Sequence, residues 1–207
     1  MSKHRDWRPV HDFWFPPGLE QADAETHRRI HLWWFGGGAN AELPRFAATL
    51  AAARTGRLDH WCAEPLGRLT LIVVLDQFPR GLFAGTPEAY ASDPAATRIA
   101  EAGLANGHYD SLAWPWQKTP FLMAIGHAEG PDHRTRMDRI VALQGAIRAP
   151  AHLAPLYAFH GSQARAHRDV IARFGRFPHR NAVLGRASTP AEAAYVEKGE
   201  FVHNRRP

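Results

Sequence analysis

The chain has 207 residues, of which 45% are hydrophobic and 22% are charged, a composition typical of a soluble globular protein. Its single cysteine, Cys62, excludes an internal disulfide and suits a reducing compartment. The longest apolar run, residues 69–75, is far too short for a membrane span, and the N-terminus lacks the apolar core of a signal peptide. We therefore expect a cytoplasmic protein without a membrane partner, folded as one domain over residues 1–207 with a flexible tail at 202–207.

The positive charge is concentrated in one segment. Residues 165–186 contain six arginines and one acid, a balance of +5 that equals the net charge of the whole chain. Because a nucleic-acid footprint usually spreads along an exposed face, this concentration argues against a nucleic-acid partner. Arginines interleaved with Phe, His and Asn instead suit a carboxylate, a phosphate or a planar ring.

Helix signals follow one another along the chain. Asp23 is typical of an N-cap, and the glycines at 36–38 end the helix that it starts. Cap and proline signals predict further helices at 40–55 (cap Asn40), 95–106 (cap Asp93), 131–148, 150–174 and from Pro190 onwards. Because no alternating strand pattern separates these segments, the sequence predicts an all-α fold.

Residues 68–78 permit two interpretations. Their clustered β-branched residues are compatible with a buried strand, which would place Asp76 at a strand end where open α/β sheets carry catalytic residues. Pro65, however, is typical of a helix start, and nothing else in the chain supplies partner strands. We predict a fully buried central helix and keep the strand as the alternative.

Thirteen histidines raise the question of a metal site. His27 and His31 have the spacing of two ligands on one helix face, but we expect a solvated face there. His160 and His167 are seven residues apart, too far to share one ion, and we expect both to be partly buried with hydrogen-bond partners. Zinc motifs, a nucleophile elbow and a phosphate loop are absent from the sequence, so it predicts no metal and no cofactor.

Polar residues embedded in apolar sequence are the candidates for a site. They end two hydrophobic segments and flank the rings of Phe174 and Phe177. The candidates for acid–base chemistry are Asp76, His127, Glu129 and His179, and those for ligand binding are Gln77, Arg80, Arg173, Arg176, Arg180 and Asn181. Since a buried charge without a partner costs several kcal/mol, we expect Asp76 and Glu129 to be the counter-ions of the arginines.

Two long motifs identify a resemblance. They are LDQFPRGLFAGTPEAYASDP at 75–94 and HRDVIARFGRFPHRNAVLGRASTP at 167–190, with shorter matches at 12–15 and 56–61. The chain resembles a bacterial family, domain of unknown function nine-two-four, from about residue 11 to 201. The resemblance implies an α-superhelix of helical hairpins similar to tetratricopeptide-repeat folds, and no activity. Family members typically carry a serine where this chain has Ala128, so a mechanism that needs that hydroxyl would fail here.

Three interpretations of the candidate residues remain open at this stage. The arginines form an ion-pair lattice that ties three helix ends together, or the helix ends converge on a pocket. With a pocket, the protein is a binding or scaffolding module for an anionic small molecule or peptide. Alternatively it is an enzyme, a hydrolase or transferase, acting on a small anionic substrate through the acid–base candidates. An enclosed pocket would favour the enzyme and an open groove the module.

Overall fold

The computed structural model describes residues 6–199, 201, 202 and 207. These residues form ten α-helices and six short 3-10 helices, and no strand occurs among them. The α-helices are α1 (Arg8–Trp14), α2 (Ala24–Phe35), α3 (Ala47–Arg54), α4 (Pro65–Leu82), α5 (Asp93–Ala105), α6 (His108–Ser111), α7 (Pro115–His127), α8 (His133–Ala146), α9 (Ala154–Phe174) and α10 (Pro190–Lys198). The 3-10 helices are Leu19–Gln21, Leu43–Phe46, Asp59–Ala63, Pro87–Ala89, Ala151–Leu153 and Pro178–Arg180. The all-α prediction is confirmed.

Helix α4 is the centre of the molecule. Pro65 is its first residue, as the sequence indicates, and the helix continues through the whole segment that a strand could have occupied. Leu69, Ile72 and Val74 are fully buried, because α1, α3, α5 and α7 all pack around this helix. A helix that is apolar on every side is stable only when it is enclosed in this way. The buried helix is therefore confirmed and the strand alternative is wrong.

Several helix ends meet beside the last turns of α4. Helix α5 starts there at Asp93, α7 ends there at His127, and the 3-10 helix Pro178–Arg180 lies against both. Gly175, with φ of +71°, ends α9 in the left-handed conformation that favours glycine and turns the chain toward this 3-10 helix. The site candidates are brought together by these ends.

Gly81 allows one further segment to approach α4. A Cβ atom at this position would lie 2.4 Å from Leu43 Cδ1 and 2.5 Å from Asn40 Oδ1, both far below a normal contact distance. Because glycine has no side chain, the loop that contains Asn40 packs directly on the last turn of α4. This loop forms part of the wall of the cleft described below.

Some local predictions differ from the structure. The segment predicted as one helix over 40–55 is divided into the 3-10 helix Leu43–Phe46 and α3, and Asn40 caps neither. Ser92, not Asp93, is the N-cap residue of α5. In the predicted tail, Val202 is buried at 4% exposure, while residues 203–206 lie outside the described residues.

The remaining expectations concern membrane spans, superhelical stacking and the number of domains. None of the helices in the described ranges is long and apolar enough to cross a membrane. The superhelical stacking implied by the family resemblance, and the single domain over residues 1–207, stay predictions.

Candidate functional site

A cleft of about 510 Å³ opens between the helix ends. Two groups of side chains line it. The first, which we call the cationic group, contains polar and ring residues: Gln77, Arg80, Tyr90, His127, Phe177, His179 and Arg180. The second, the aromatic group, contains Trp14, His31, Trp34, Phe35, Phe159 and His160. A volume of this size is in the range of small-molecule sites in proteins.

Arg180 is the most enclosed charge of the cationic group. Its guanidinium lies between two rings, 4.4 Å from the centroid of Tyr90 and 4.6 Å from that of Phe177. Nη1 donates hydrogen bonds to Asp93, at 3.1 Å, and to the carbonyl of His127, at 3.0 Å. Nε is buried and makes no hydrogen bond to the residues that the structure describes. Arg180 is therefore held on both faces and on one edge.

Asp93 is shared between two arginines. Arg80 Nη2 lies 3.0 Å and Arg180 Nη1 3.1 Å from its carboxylate, which is 4% exposed. The side chain can reach both because Asp93 is the first residue of α5 and faces the last turn of α4. The sequence alone predicts helix capping for Asp93 and does not predict its role as the counter-ion of Arg80 and Arg180.

Asp76 and His127 form a second polar pair beside Arg80. His127 Nδ1 lies 2.7 Å from Asp76 Oδ1, and the amide of Gln77 donates to the other carboxylate oxygen. Burial alone would raise the pKa of Asp76, but Arg80 and His127 outweigh this effect and hold the pKa at about 2. Asp76 is thus a buried, charged carboxylate that fixes the orientation of the His127 ring.

The aromatic group is built from α1, α2 and α9. The Trp14 and Trp34 rings are stacked with centroids 6.2 Å apart, and Trp34 Nε1 donates to the carbonyl of Trp14 at 2.6 Å. His31 Nδ1 lies 3.1 Å from His160 Nε2, and the His31 ring also contacts Phe35 edge-on. The group presents large apolar surfaces with two imidazoles among them.

Burial lowers the pKa of both His31 and His160. Desolvation lowers the pKa of His31 to about 4, and desolvation together with His31 lowers the pKa of His160 to about 3. The expected solvated face at His27 and His31 is wrong, since the two residues are only 4% and 8% exposed. The apolar surroundings come from α1, α7 and α9, which the i, i+4 pattern of α2 cannot reveal. His160 is partly buried and has a hydrogen-bond partner, as the sequence indicates.

Two other arginines of the 165–186 segment form ion pairs outside the cleft. Arg176 makes a two-pronged pair with Glu192, at 2.7 and 2.9 Å, and Arg186 pairs with Glu129. Glu129 also accepts a hydrogen bond from the backbone nitrogen of Phe177, so it anchors the loop after α9 to the end of α7. These pairs are the lattice between helix ends that the sequence left open as one interpretation. Glu129 is a counter-ion as expected, but of Arg186.

The candidate residues therefore separate into two sets. Those that line the cleft are Gln77, Arg80, His127, His179 and Arg180, with Asp76 directly behind His127. Those outside it are Glu129, Arg173, Arg176 and Asn181. Arg173 is exposed and lies over the Phe174 ring, while the buried Asn181 donates to Ser188. In the described part of the chain no cluster of three His, Cys, Asp or Glu side chains is placed to hold a metal ion.

The comparisons with known proteins agree with this fold. A protein from Agrobacterium tumefaciens of unknown function has a solved structure that matches with a TM-score of 0.70 and 32% identity, over 93% of this chain and 97% of the other. No curated protein matches the chain. The model of the family described as "Bacterial protein of unknown function (DUF924)" matches residues 10–200. The chain therefore belongs to this bacterial family.

Proposed function

We propose that the cleft binds a small organic anion, with its carboxylate or phosphate at Arg180 and its apolar or aromatic body against the aromatic group. The observation that carries this proposal is the Arg180 guanidinium, which lines the cleft and is held between the Tyr90 and Phe177 rings. A cation oriented in this way can pair with a ligand carboxylate or phosphate without being immobilised first. Cytoplasmic location, which the single Cys62 suits, is part of the proposal.

The geometry of Arg180 favours an anion over a neutral ligand. Burial lowers the pKa of its guanidinium, and an anion beside it would favour the charged form. Charge-assisted hydrogen bonds from a guanidinium to a carboxylate or phosphate are about twice as strong as neutral ones. A ligand anion would therefore gain more from this site than a ligand with an amide or hydroxyl at the same place.

Excess charge is not the basis of this binding. In the cationic group, Arg80 and Arg180 are balanced by the two carboxylates of Asp76 and Asp93. Affinity would come from a preoriented donor held between two rings, which a ligand does not have to immobilise. This arrangement suits one small anion, and it is less suited to a polyanion such as nucleic acid.

The aromatic group supports a ligand with an apolar body. Trp34 and Phe35 are partly exposed, line the same cleft as Arg180 and offer ring surfaces of a size that dominates binding energies in pockets, while the buried Trp14 stacks on Trp34. The cleft volume of about 510 Å³ suits a whole small molecule. A peptide could contribute only its terminal carboxylate and last side chain, so we favour the small molecule over the peptide.

Isothermal titration calorimetry with a charged and a neutral probe of equal shape tests the proposal. Naphthylacetate should bind wild type, whereas naphthylacetamide should bind at least tenfold more weakly. Arg180→Lys keeps the charge but removes the planar guanidinium, and a lost charge-assisted hydrogen bond of about 1.5–3 kcal/mol predicts a tenfold or larger loss of naphthylacetate affinity. Arg173→Gln, an exposed arginine outside the cleft, is the matched control and should bind like wild type. Equal binding of both probes, or no binding of either, would refute the proposal.

A further inference from the structure

The Asp76–His127 pair has a feature that ligand binding does not require. Asp76 accepts a hydrogen bond from Nδ1, so the lone pair of the neutral imidazole is on Nε2. Nε2 makes no hydrogen bond within the described part of the chain, and the His127 ring borders the cleft. An imidazole oriented in this way by a buried carboxylate is the usual arrangement of a general base.

The cleft does not offer this base an obvious protein nucleophile. Neither serine nor cysteine occurs among the residues that line it, and the hydroxyl residues there are Tyr90 and Thr119. The Tyr90 ring is packed under the Arg180 guanidinium, and Thr119 Oγ1 is buried. Cys62, the single cysteine, lies outside the cleft. The group that His127 can deprotonate is therefore a water molecule or the ligand itself.

Arg180 lies close to His127 in the same wall of the cleft. Its Nη1 donates to the backbone carbonyl of His127 at 3.0 Å, and both side chains line the cleft. In the proposed function this guanidinium binds the carboxylate of the ligand, so a ligand held there has its remaining atoms near the imidazole. An anchored substrate and a base that can deprotonate water are two of the parts that ester hydrolysis needs.

We propose that His127 is a catalytic general base and that the cleft hydrolyses carboxylic esters of small aromatic or apolar anions. This inference rests on the proposed binding function. His127 Nε2 removes a proton from water, whose oxygen forms a bond to the acyl carbon and makes the carbonyl oxygen an oxyanion. The electron pair then returns, the bond to the alcohol oxygen breaks, and this oxygen takes the proton from His127. One water is consumed, an acid and an alcohol are released, and His127 is neutral again.

Hydrolysis of para-acetoxybenzoate, followed by absorbance of the para-hydroxybenzoate product, tests this directly. Wild type should accelerate the reaction over buffer, and should accelerate that of the uncharged methyl para-acetoxybenzoate at least tenfold less. His127→Gln should lower the rate by about a hundredfold or more, the usual contribution of a general base. The same variant should still bind naphthylacetate, which shows that it is folded and that the anion site is intact.

The outcomes separate this inference from the proposed function. Naphthylacetate binding without hydrolysis above buffer, or hydrolysis that persists in His127→Gln, would overturn the catalytic role and leave the binding function standing. Absence of both binding and hydrolysis would refute both proposals.

Asp76 is a positioning residue in this account, since it acts through His127. Asp76→Asn should lower kcat for para-acetoxybenzoate by more than it changes KM, because the imidazole loses the acceptor that orients it. A merely structural role would change kcat and KM together. If Asp76→Asn does not fold, the His127→Gln measurement decides alone.

Discussion

Arg176 and Arg180 stand four residues apart in one arginine-rich motif, yet their surroundings differ. Arg176 directs two nitrogens at the two oxygens of Glu192 outside the cleft, and the pair is complete. Arg180 lines the cleft and binds its acid through one nitrogen. The difference shows that one motif supplies both architecture and a residue of the candidate site.

Removing the shared carboxylate should have the largest effect on this comparison. In Asp93→Asn both Arg80 and Arg180 lose a buried counter-ion, which typically costs about 3–5 kcal/mol. For a chain of this size we expect the Tm to fall by about 10 °C in scanning fluorimetry. Asp138→Asn, in an exposed pair with Arg134, is the control and should change Tm little. A fall of equal size in both variants would contradict the distinction between buried and exposed pairs.

As the pH falls, the histidines of the cleft should lower the stability of the fold before the Arg176–Glu192 pair does. The pKa values of His31 and His160 are lowered from 6.5 to about 4 and about 3, so the unfolded chain takes up protons first and stability falls as the pH drops from 6.5 toward 4. Arg176 and the backbone of Thr189 hold the pKa of Glu192 at about 2, below its ordinary 4.5, so its contribution is lost only below about pH 4.5.

Urea unfolding at several pH values measures this order. Wild type should lose stability between pH 6.5 and 4, and His31→Gln should lose less over the same interval, because one of the two buried imidazoles is absent. An identical pH dependence in wild type and His31→Gln would show that burial does not change the pKa of His31 between the unfolded and folded states.

Breaking the Arg176–Glu192 pair should lower Tm by less than Asp93→Asn does. Glu192→Gln weakens the bond to Arg176 and the capping box with Thr189, and we expect Tm to fall by a few degrees. Naphthylacetate affinity, measured by calorimetry, should stay at the wild-type value because neither residue lines the cleft. A change in affinity of tenfold would mean that the complete pair is part of the site after all.

The smallest effect is expected at Arg173. Its side chain is exposed and contacts the Phe174 ring, so Arg173→Gln should leave Tm and naphthylacetate affinity within experimental error. A loss of affinity would extend the site beyond the cleft to the surface of α9.

The sequence predicts the helices more completely than the site. The apolar run of α4 and the start at Pro65 suffice to predict the buried central helix. Asp76 and Arg80 could be found because charge embedded in apolar sequence needs a partner. Asp93 could not, because an acid before a proline is equally typical of a helix cap, and its side chain reveals its role only where α4 and α5 meet.

The aromatic group is the part that sequence patterns could not reveal. His31 and His160 are 129 residues apart, and their contact depends on how α2 and α9 pack. A histidine on an amphipathic helix has the same local signature whether the neighbouring helix covers it or not. The tryptophans, by contrast, are visible in the sequence as an excess of large rings. What the structure adds is that two of them, Trp14 and Trp34, lie at the cleft.

The most direct measurement is a crystal structure of the protein grown with bromonaphthylacetate. The account predicts anomalous signal from bromine beside the aromatic group and a carboxylate oxygen within hydrogen-bond distance of the Arg180 guanidinium. An empty cleft at saturating ligand, or a ligand bound with its carboxylate away from Arg180, would contradict it.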